Sequence, residues 1–131
     1  ENVLKTAKLV NKGDFDLETL KTMHYERAKE ELLTLPGVGP KVADCILLFS
    51  LDKLEAFPID VWMKRIILEY YPQYFEPEFV TKMRAKKSLS PREYQTIYVF
   101  GRKYFGEYVG YAQEYLYHYK RCQAILERAL T

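Results

Sequence analysis

The run LPGVGP, residues 35–40, interrupts a chain whose apolar residues otherwise recur at helical spacing. Proline and glycine end helices, and glycine also allows close backbone approaches that a side chain prevents. Proline suits the first turn of a helix, because the amide hydrogen that it lacks has no partner there. The run therefore predicts two helices joined by a tight hairpin, in which Gly37 and Gly39 allow positive φ and close backbone approach, and a new helix from Pro40.

Apolar spacing predicts further helices on both sides of this hairpin. The predicted segments lie near residues 4–12, 17–23, 25–35, 40–51, 61–70, 78–87, 91–105 and 108–129. Asp60 is placed to cap the fifth segment, and the sequence SPRE at 90–93 is typical of a capping box at the start of the seventh. No strand pattern of useful length occurs. The predicted fold class is all-α, a helical bundle.

Composition sets limits on the kind of protein. A chain of 131 residues with 48% hydrophobic residues is long enough for one domain with a core. No apolar run reaches the roughly 18 residues that a membrane helix needs, so no membrane association is expected. The two cysteines, Cys45 and Cys122, cannot supply the four thiolates of an iron–sulfur cluster, and they suit a reducing, intracellular setting.

Charge alone does not indicate a nucleic-acid partner, since the net charge is only +2. A local basic run at Lys82, Arg84, Lys86 and Lys87 leaves two interpretations open. It is either a solvated helix face or a surface that contacts phosphate.

The hairpin also has backbone groups that can bind a ligand. Backbone amides around Gly37, Gly39 and Lys41 lie at a predicted helix N-terminus, where the helix dipole favours an anion such as a phosphate. Two interpretations follow from the residues alone. The hairpin is either a plain connection between helices or a clamp on a nucleic-acid backbone.

Lys41 and Asp60 add a second possibility for chemistry. A lysine in the first helical turn is disfavoured by about 0.3–1 kcal/mol, and a lysine amine that loses its proton is a nucleophile. Asp60 begins the next long helix, within FPIDVW at 57–62. An amine beside a carboxylate suits reactions that create positive charge on a sugar. The simpler alternatives are a surface lysine and an aspartate that only caps its helix, although Asp60 can serve both roles.

Three stretches together resemble a known family: LPGVGPKVADC at 35–45, FPIDVW at 57–62 and FGEYVGYAQEYLY at 105–117. They resemble the helix-hairpin-helix (HhH-GPD) DNA glycosylases, and within that superfamily the 8-oxoguanine DNA glycosylase/lyases. The resemblance covers essentially the whole chain but only the C-terminal part of such enzymes. It implies one helical domain at 1–131, with the hairpin at 25–51 and without the family's N-terminal segment. Either a longer chain or a second chain is then expected to supply that segment.

The resemblance implies base-excision repair: removal of 8-oxoguanine from duplex DNA through a lysine Schiff base, followed by strand cleavage by β-elimination. The alternatives are a non-catalytic helix-hairpin-helix module that binds DNA and a glycosylase for a different damaged base. The implied partner is double-stranded DNA containing oxidised guanine. A monomer is expected, located in the cytoplasm or nucleoid of a prokaryote or in the nucleus of a eukaryote.

The resemblance also implies a role for each matching residue. Lys41 matches the nucleophile and Asp60 the carboxylate that stabilises charge at the sugar. Cys45 and Tyr117 match the residues that stack on the two faces of the extruded base, and Gln113 matches the amide that reads its Watson–Crick edge.

Further matches concern the DNA backbone. The implied phosphate-binding residues are Gly37, Val38, Gly39 and Lys41. The backbone carbonyls of Leu33, Leu35 and Val38 match a site for a monovalent or divalent cation; no other cofactor is implied. Trp62 departs from the family pattern, because some members have a histidine there near the phosphate.

Overall fold

The computed structural model describes residues 1–130, with side chains through residue 129, so Thr131 of the predicted domain lies outside the described residues. The described residues form eight α-helices and no strand. The helices are α1 (Asn2–Lys12), α2 (Leu17–Thr22), α3 (Tyr25–Leu33), α4 (Pro40–Leu51), α5 (Val61–Tyr70), α6 (Pro77–Ala85), α7 (Pro91–Phe105) and α8 (Val109–Leu130). None of these helices combines the length and apolar character that crossing a membrane requires.

Local capping explains where several helices begin. The Asp60 carboxylate accepts a hydrogen bond from the Met63 amide at the start of α5. Ser90 and Glu93 form the expected capping box at the start of α7. The predicted bounds of α4, α5 and α7 are confirmed, whereas α3 ends at Leu33, two residues before its predicted end.

The core lies where α3, α4, α5 and α7 meet, with Val109 at the start of α8. Leu47 of α4, Met63 of α5 and Ile97 of α7 are completely buried there. The connection between α4 and α5 runs through this core, since its Phe57 is also completely buried. At Gly101 a Cβ atom would lie only 2.6 Å from the Phe57 ring, so α7 packs closely against the connection that leads to Asp60. The position of Asp60 is thus tied to the core.

Candidate active site

The turn between α3 and α4 has positive φ at only one of its two glycines. Gly37 has φ of +81°, as predicted. Gly39 does not use this freedom: it has φ of −98° and is the N-cap of α4. An N-cap takes extended backbone angles, which any residue can adopt, so conformational freedom does not account for glycine at this position.

Open space is the more informative property of Gly39. A Cβ atom there would meet no heavy atom of the protein within 4 Å. No side chain caps α4, in contrast to α5 and α7, which Asp60 and Ser90 cap. Backbone amides in the first turn of α4 are therefore available to an external acceptor, and the helix dipole favours an anion.

A cavity of about 310 Å³ brings together the five residues predicted for catalysis and base binding. It is lined by Lys41, Cys45, Phe49, Pro58, Asp60, Gln113, Glu114 and Tyr117. Helix α4 contributes Lys41 and Cys45 at i and i+4, and α8 contributes Gln113 and Tyr117 at the same spacing, so each pair lies on one helix face. Residues separated by up to 76 positions thus share one cavity because α4, α5 and α8 converge.

Lys41 and Asp60 line this cavity without forming an ion pair, within the part of the chain that the structure describes. One Asp60 carboxylate oxygen lies 2.8 Å from the Met63 amide nitrogen, which fixes the orientation of the group. A carboxylate has a second oxygen with further acceptor capacity. Asp60 can therefore cap α5 and stabilise positive charge in the cavity at the same time.

Gln113 carries an unusual unsatisfied group. Its side chain is only 8% exposed, and its Oε1 atom is buried with no hydrogen-bond partner. Buried polar atoms are nearly always paired, since leaving one unpaired costs about 1–3 kcal/mol. An acceptor in this state beside a cavity is suited to a ligand that presents a hydrogen-bond donor.

A buried network centred on Asp44 supports the cavity from behind. Asp44 follows Lys41 on α4 and is completely buried. Its carboxylate accepts hydrogen bonds from the Tyr25 hydroxyl at 2.7 Å and from the Lys29 ammonium at 2.9 Å, both on α3. The Tyr94 hydroxyl of α7 lies 2.5 Å from the same carboxylate. Asp44 therefore joins α3 and α7 to α4, the helix that carries Lys41.

Tyr94 extends this network to the approach to Asp60. Its hydroxyl accepts a hydrogen bond from the Ile59 amide at 3.2 Å and lies 3.0 Å from the Phe57 carbonyl oxygen. Burial, and then the charge of Asp44, raise the pKa of the Tyr94 hydroxyl, which keeps it protonated. The helix that carries Lys41 and the segment that carries Asp60 are thus held by one set of hydrogen bonds.

Three cavity residues were absent from the sequence predictions: Phe49, Pro58 and Glu114. Phe49 continues the Lys41 and Cys45 face of α4 at i+8, a spacing that could have indicated it. Pro58 and Glu114 adjoin predicted residues along the chain, but local sequence gives no direction for either side chain.

The carbonyls predicted to bind a cation lie at the end of α3 and in the turn. The Leu35 carbonyl accepts a hydrogen bond from the Val38 amide. Within the described residues, the Leu33 and Val38 carbonyls accept no comparable backbone hydrogen bond. Oxygen atoms of this type are the ligands that hard cations prefer, so the donor set fits such an ion.

Comparison with known proteins agrees with this geometry. Residues 25–49, which include α3 and most of α4, match the model of the helix-hairpin-helix motif. The chain is 37% identical over 115 residues to a probable N-glycosylase/DNA lyase of Methanothermobacter thermautotrophicus, covering 88% of this chain and 32% of the relative. It is 37% identical over 106 residues to the N-glycosylase/DNA lyase OGG1 of Arabidopsis thaliana, covering 80% and 26%.

Solved structures give the same result. The chain superposes with a TM-score of 0.73 and 36% identity on the Clostridium acetobutylicum 8-oxoguanine glycosylase/lyase in complex with duplex DNA containing cytosine opposite 8-oxoguanine. That match covers 92% of this chain and 36% of the other. The chain therefore spans about a third of the length of the relatives that it matches.

Fold and motif together define the class: this chain has the all-α fold of the helix-hairpin-helix DNA glycosylases. Within that class, the expected resemblance to the 8-oxoguanine DNA glycosylase/lyase branch is confirmed.

Proposed function

We propose that this chain carries the active site of a base-excision DNA glycosylase with AP lyase activity that removes 8-oxoguanine from duplex DNA. The observation that carries the proposal is the cavity lined by Lys41, Asp60 and Gln113, whose Oε1 atom is buried without a hydrogen-bond partner. Base excision through a Schiff base needs the amine, the carboxylate stabilises positive charge on the sugar, and the amide can read the base.

The proposed reaction begins with extrusion of the damaged nucleotide, because its sugar is inaccessible to an amine inside the duplex. Cys45 and Tyr117 stack on the two faces of the base. The Lys41 amine forms a bond to the anomeric carbon while the glycosidic bond breaks, and the base leaves with the bonding electrons and takes up a proton. Asp60 stabilises the positive charge that develops on the sugar.

Strand cleavage follows from the same lysine adduct. Opening of the sugar ring converts the adduct to a Schiff base, whose positive charge acidifies the neighbouring C2′ proton. Loss of that proton forms a double bond and breaks the bond from C3′ to the 3′-phosphate oxygen. The amine nucleophile needs no redox cofactor in this sequence of steps.

Gln113 provides the proposed recognition of the base. The Watson–Crick edge of guanine and its oxidised form presents N–H donors, which complement an unpaired acceptor. We expect Gln113→Met to raise the free energy of unfolding by about 1–2 kcal/mol, because it removes a buried unpaired oxygen at similar volume. The same change is expected to lower excision of 8-oxoguanine by about tenfold or more. Urea unfolding and single-turnover excision measure the two effects.

An exposed glutamine on another helix serves as the control for this substitution. Gln95→Met changes an exposed side chain on α7 and should leave both measurements within error. A Gln113→Met variant that excises 8-oxoguanine at the original rate would remove Gln113 from the recognition site.

The hairpin is proposed to hold a DNA phosphate through the amides of Gly37, Gly39 and Lys41. Pro40 has no amide hydrogen, and the Val38 amide is already bonded to the Leu35 carbonyl. Gly39→Ala is expected to weaken duplex binding about fivefold, since the new methyl group occupies the space that a phosphate would approach. The free energy of unfolding should stay within about 0.5 kcal/mol, because φ is negative and no protein atom is near. Fluorescence anisotropy and urea unfolding give these two quantities.

Gly13→Ala is the matched control, and its expected pattern is the reverse. Gly13 ends α1 with φ of +78°, so alanine there should cost about 1 kcal/mol of stability without affecting DNA affinity. If the two alanine variants behave alike, the hairpin phosphate contact is wrong.

A cation bound by the carbonyls of Leu33, Leu35 and Val38 is part of the proposal. An ion there would lie beside the first turn of α4, add positive charge near the phosphate and require no charged side chain. An intracellular location follows from the proposed substrate, the nucleus for a eukaryotic source and the cytoplasm or nucleoid for a prokaryotic one.

Borohydride trapping tests the proposed activity. The chain, and any longer protein that contains it, is incubated with duplexes carrying 8-oxoguanine, 3-methyladenine or no damage, and a covalent adduct is measured. The second lesion is included because 60 residues of this chain are 33% identical to a DNA-3-methyladenine glycosylase of Bacillus subtilis. An adduct specific to 8-oxoguanine supports the proposal. Duplex binding without any adduct would favour the non-catalytic DNA-binding module.

A further inference from the structure

A basic groove runs from the hairpin to the far side of α5. Its first part is a cavity of about 350 Å³ that extends from Gly39 and Lys41 to the connection between α6 and α7. Its second part is a cavity of about 480 Å³ between α5 and the end of α6. Val61, Lys64 and Lys87 line both parts, so the two cavities adjoin.

Charge is concentrated along this groove. The whole chain carries a net charge of only +2. The acidic residues that line the groove are Asp60 and Glu69. Its cationic lining residues are Lys41, Lys64, Arg65, Arg84, Lys86 and Lys87. A groove with this balance in a nearly neutral protein is complementary to a polyanion.

Two of these cations form the fixed frame of the groove. Lys64 is only 3% exposed, and its ammonium donates hydrogen bonds to the carbonyls of Met83 and Lys86 at the end of α6. Arg84 donates to the Leu68 carbonyl at 2.9 Å. These bonds join α5 to α6 and keep the walls of the groove in place.

Other cations remain available to a ligand. Lys87 is exposed and, among the described residues, makes no hydrogen bond or ion pair. The Arg65 guanidinium lies 5.5 Å from the Trp62 ring centre, an arrangement that leaves its N–H donors free. Lys86 is different, because Glu93 pairs with its ammonium at 2.7 Å. Lys87 and Arg65 are therefore the residues best placed to bind.

We propose that this groove binds the phosphodiester backbone of the DNA strand that flanks the hairpin-bound phosphate. It would extend the contact by one or two phosphates along α5, and the inference rests on the proposed function. The hairpin supplies backbone amides, whereas the groove supplies cationic side chains, so the two contacts differ in chemistry. This binding assigns a role to Lys87, a member of the basic run near residues 82–87 that the active site does not use.

The salt dependence of duplex binding tests this groove. For duplex DNA, the slope of log K against log salt is negative, and its magnitude falls by about 0.9 for each phosphate contact that is lost. The variant Lys87→Gln with Arg65→Gln should reduce the slope by roughly 1–2 and weaken binding roughly tenfold at low salt. Lys103→Gln is the control, because Lys103 is exposed at the opposite end of α7 from the groove.

A slope that falls in the groove variant and not in Lys103→Gln supports the proposal. Equal slopes in the groove variant and the unsubstituted chain overturn it, as does an equal fall in Lys103→Gln. Borohydride trapping by the unsubstituted chain tests the chemistry separately. If trapping fails while the slopes differ as expected, the groove stands as a DNA-binding site and the glycosylase proposal falls.

Discussion

Lys41→Gln is expected to abolish the borohydride-trapped adduct and strand cleavage while leaving the fold intact. The substituted amide has no nucleophilic lone pair, and no Schiff base can form from it. Lys41 is exposed at the start of α4, so its replacement should change the free energy of unfolding by less than about 0.5 kcal/mol. Gel analysis of trapped complexes and circular dichroism measure the two outcomes.

Another lysine near the groove is poorly placed to substitute for it. The Lys64 ammonium is buried and bonded to two backbone carbonyls. Lys41→Arg separates charge from nucleophilicity, because arginine keeps the positive charge and stays protonated. It should bind duplex DNA nearly as well as the unsubstituted chain and form no adduct. Cleavage retained by either variant would show that Lys41 is not the nucleophile.

Asp44→Ala is expected to lower the free energy of unfolding by about 3–5 kcal/mol. The change removes a completely buried carboxylate and leaves the Lys29 ammonium, whose side chain is 13% exposed, without its counter-charge. The Tyr25 and Tyr94 hydroxyls lose an acceptor at the same time. Single domains are stable by only about 5–15 kcal/mol, so this loss is a large fraction of the total. Urea unfolding at pH 7 measures it.

Two further variants, one inside this network and one outside it, are expected to lose less stability. Tyr25→Phe removes two hydrogen bonds, the one donated to Asp44 and the one accepted from Lys29, and should cost about 1–3 kcal/mol. Asp14→Ala, an exposed aspartate after α1, should stay within about 0.5 kcal/mol. An Asp44→Ala variant that loses less than about 1 kcal/mol would mean that the network does not stabilise the bundle.

Sequence predicted the features that depend on local chemistry. The capping box of Ser90 and Glu93 and the N-cap at Asp60 lie within one helical turn of the atoms that they bond, so residue type and spacing identify them. The bounds of α4, α5 and α7 followed for the same reason. Sequence did not show which glycine serves positive φ and which serves close backbone approach, since glycine allows both. The structure shows positive φ at Gly37 and open space at Gly39.

Sequence missed the features that depend on the packing of distant elements. Asp44 and Lys64 are polar residues whose burial is possible only because partners on α3, α6 and α7 reach them. The partners of Asp44 lie up to 50 residues away along the chain, and no local pattern indicates them. Cys45, Gln113 and Tyr117 came only from the resemblance to a family, since periodicity alone gave no reason to bring α4 and α8 together.

Helix α4 also limits how the length of this chain can change. One of its faces carries Lys41, Cys45 and Phe49 to the cavity, and the other carries Asp44 and Leu47 to the core. A single inserted residue turns everything beyond it by about 100°. An insertion after Lys41 would separate the amine from Cys45 and Phe49 and move Asp44 away from its partners at once. Insertions and deletions should therefore not be tolerated between the hairpin and the end of α4.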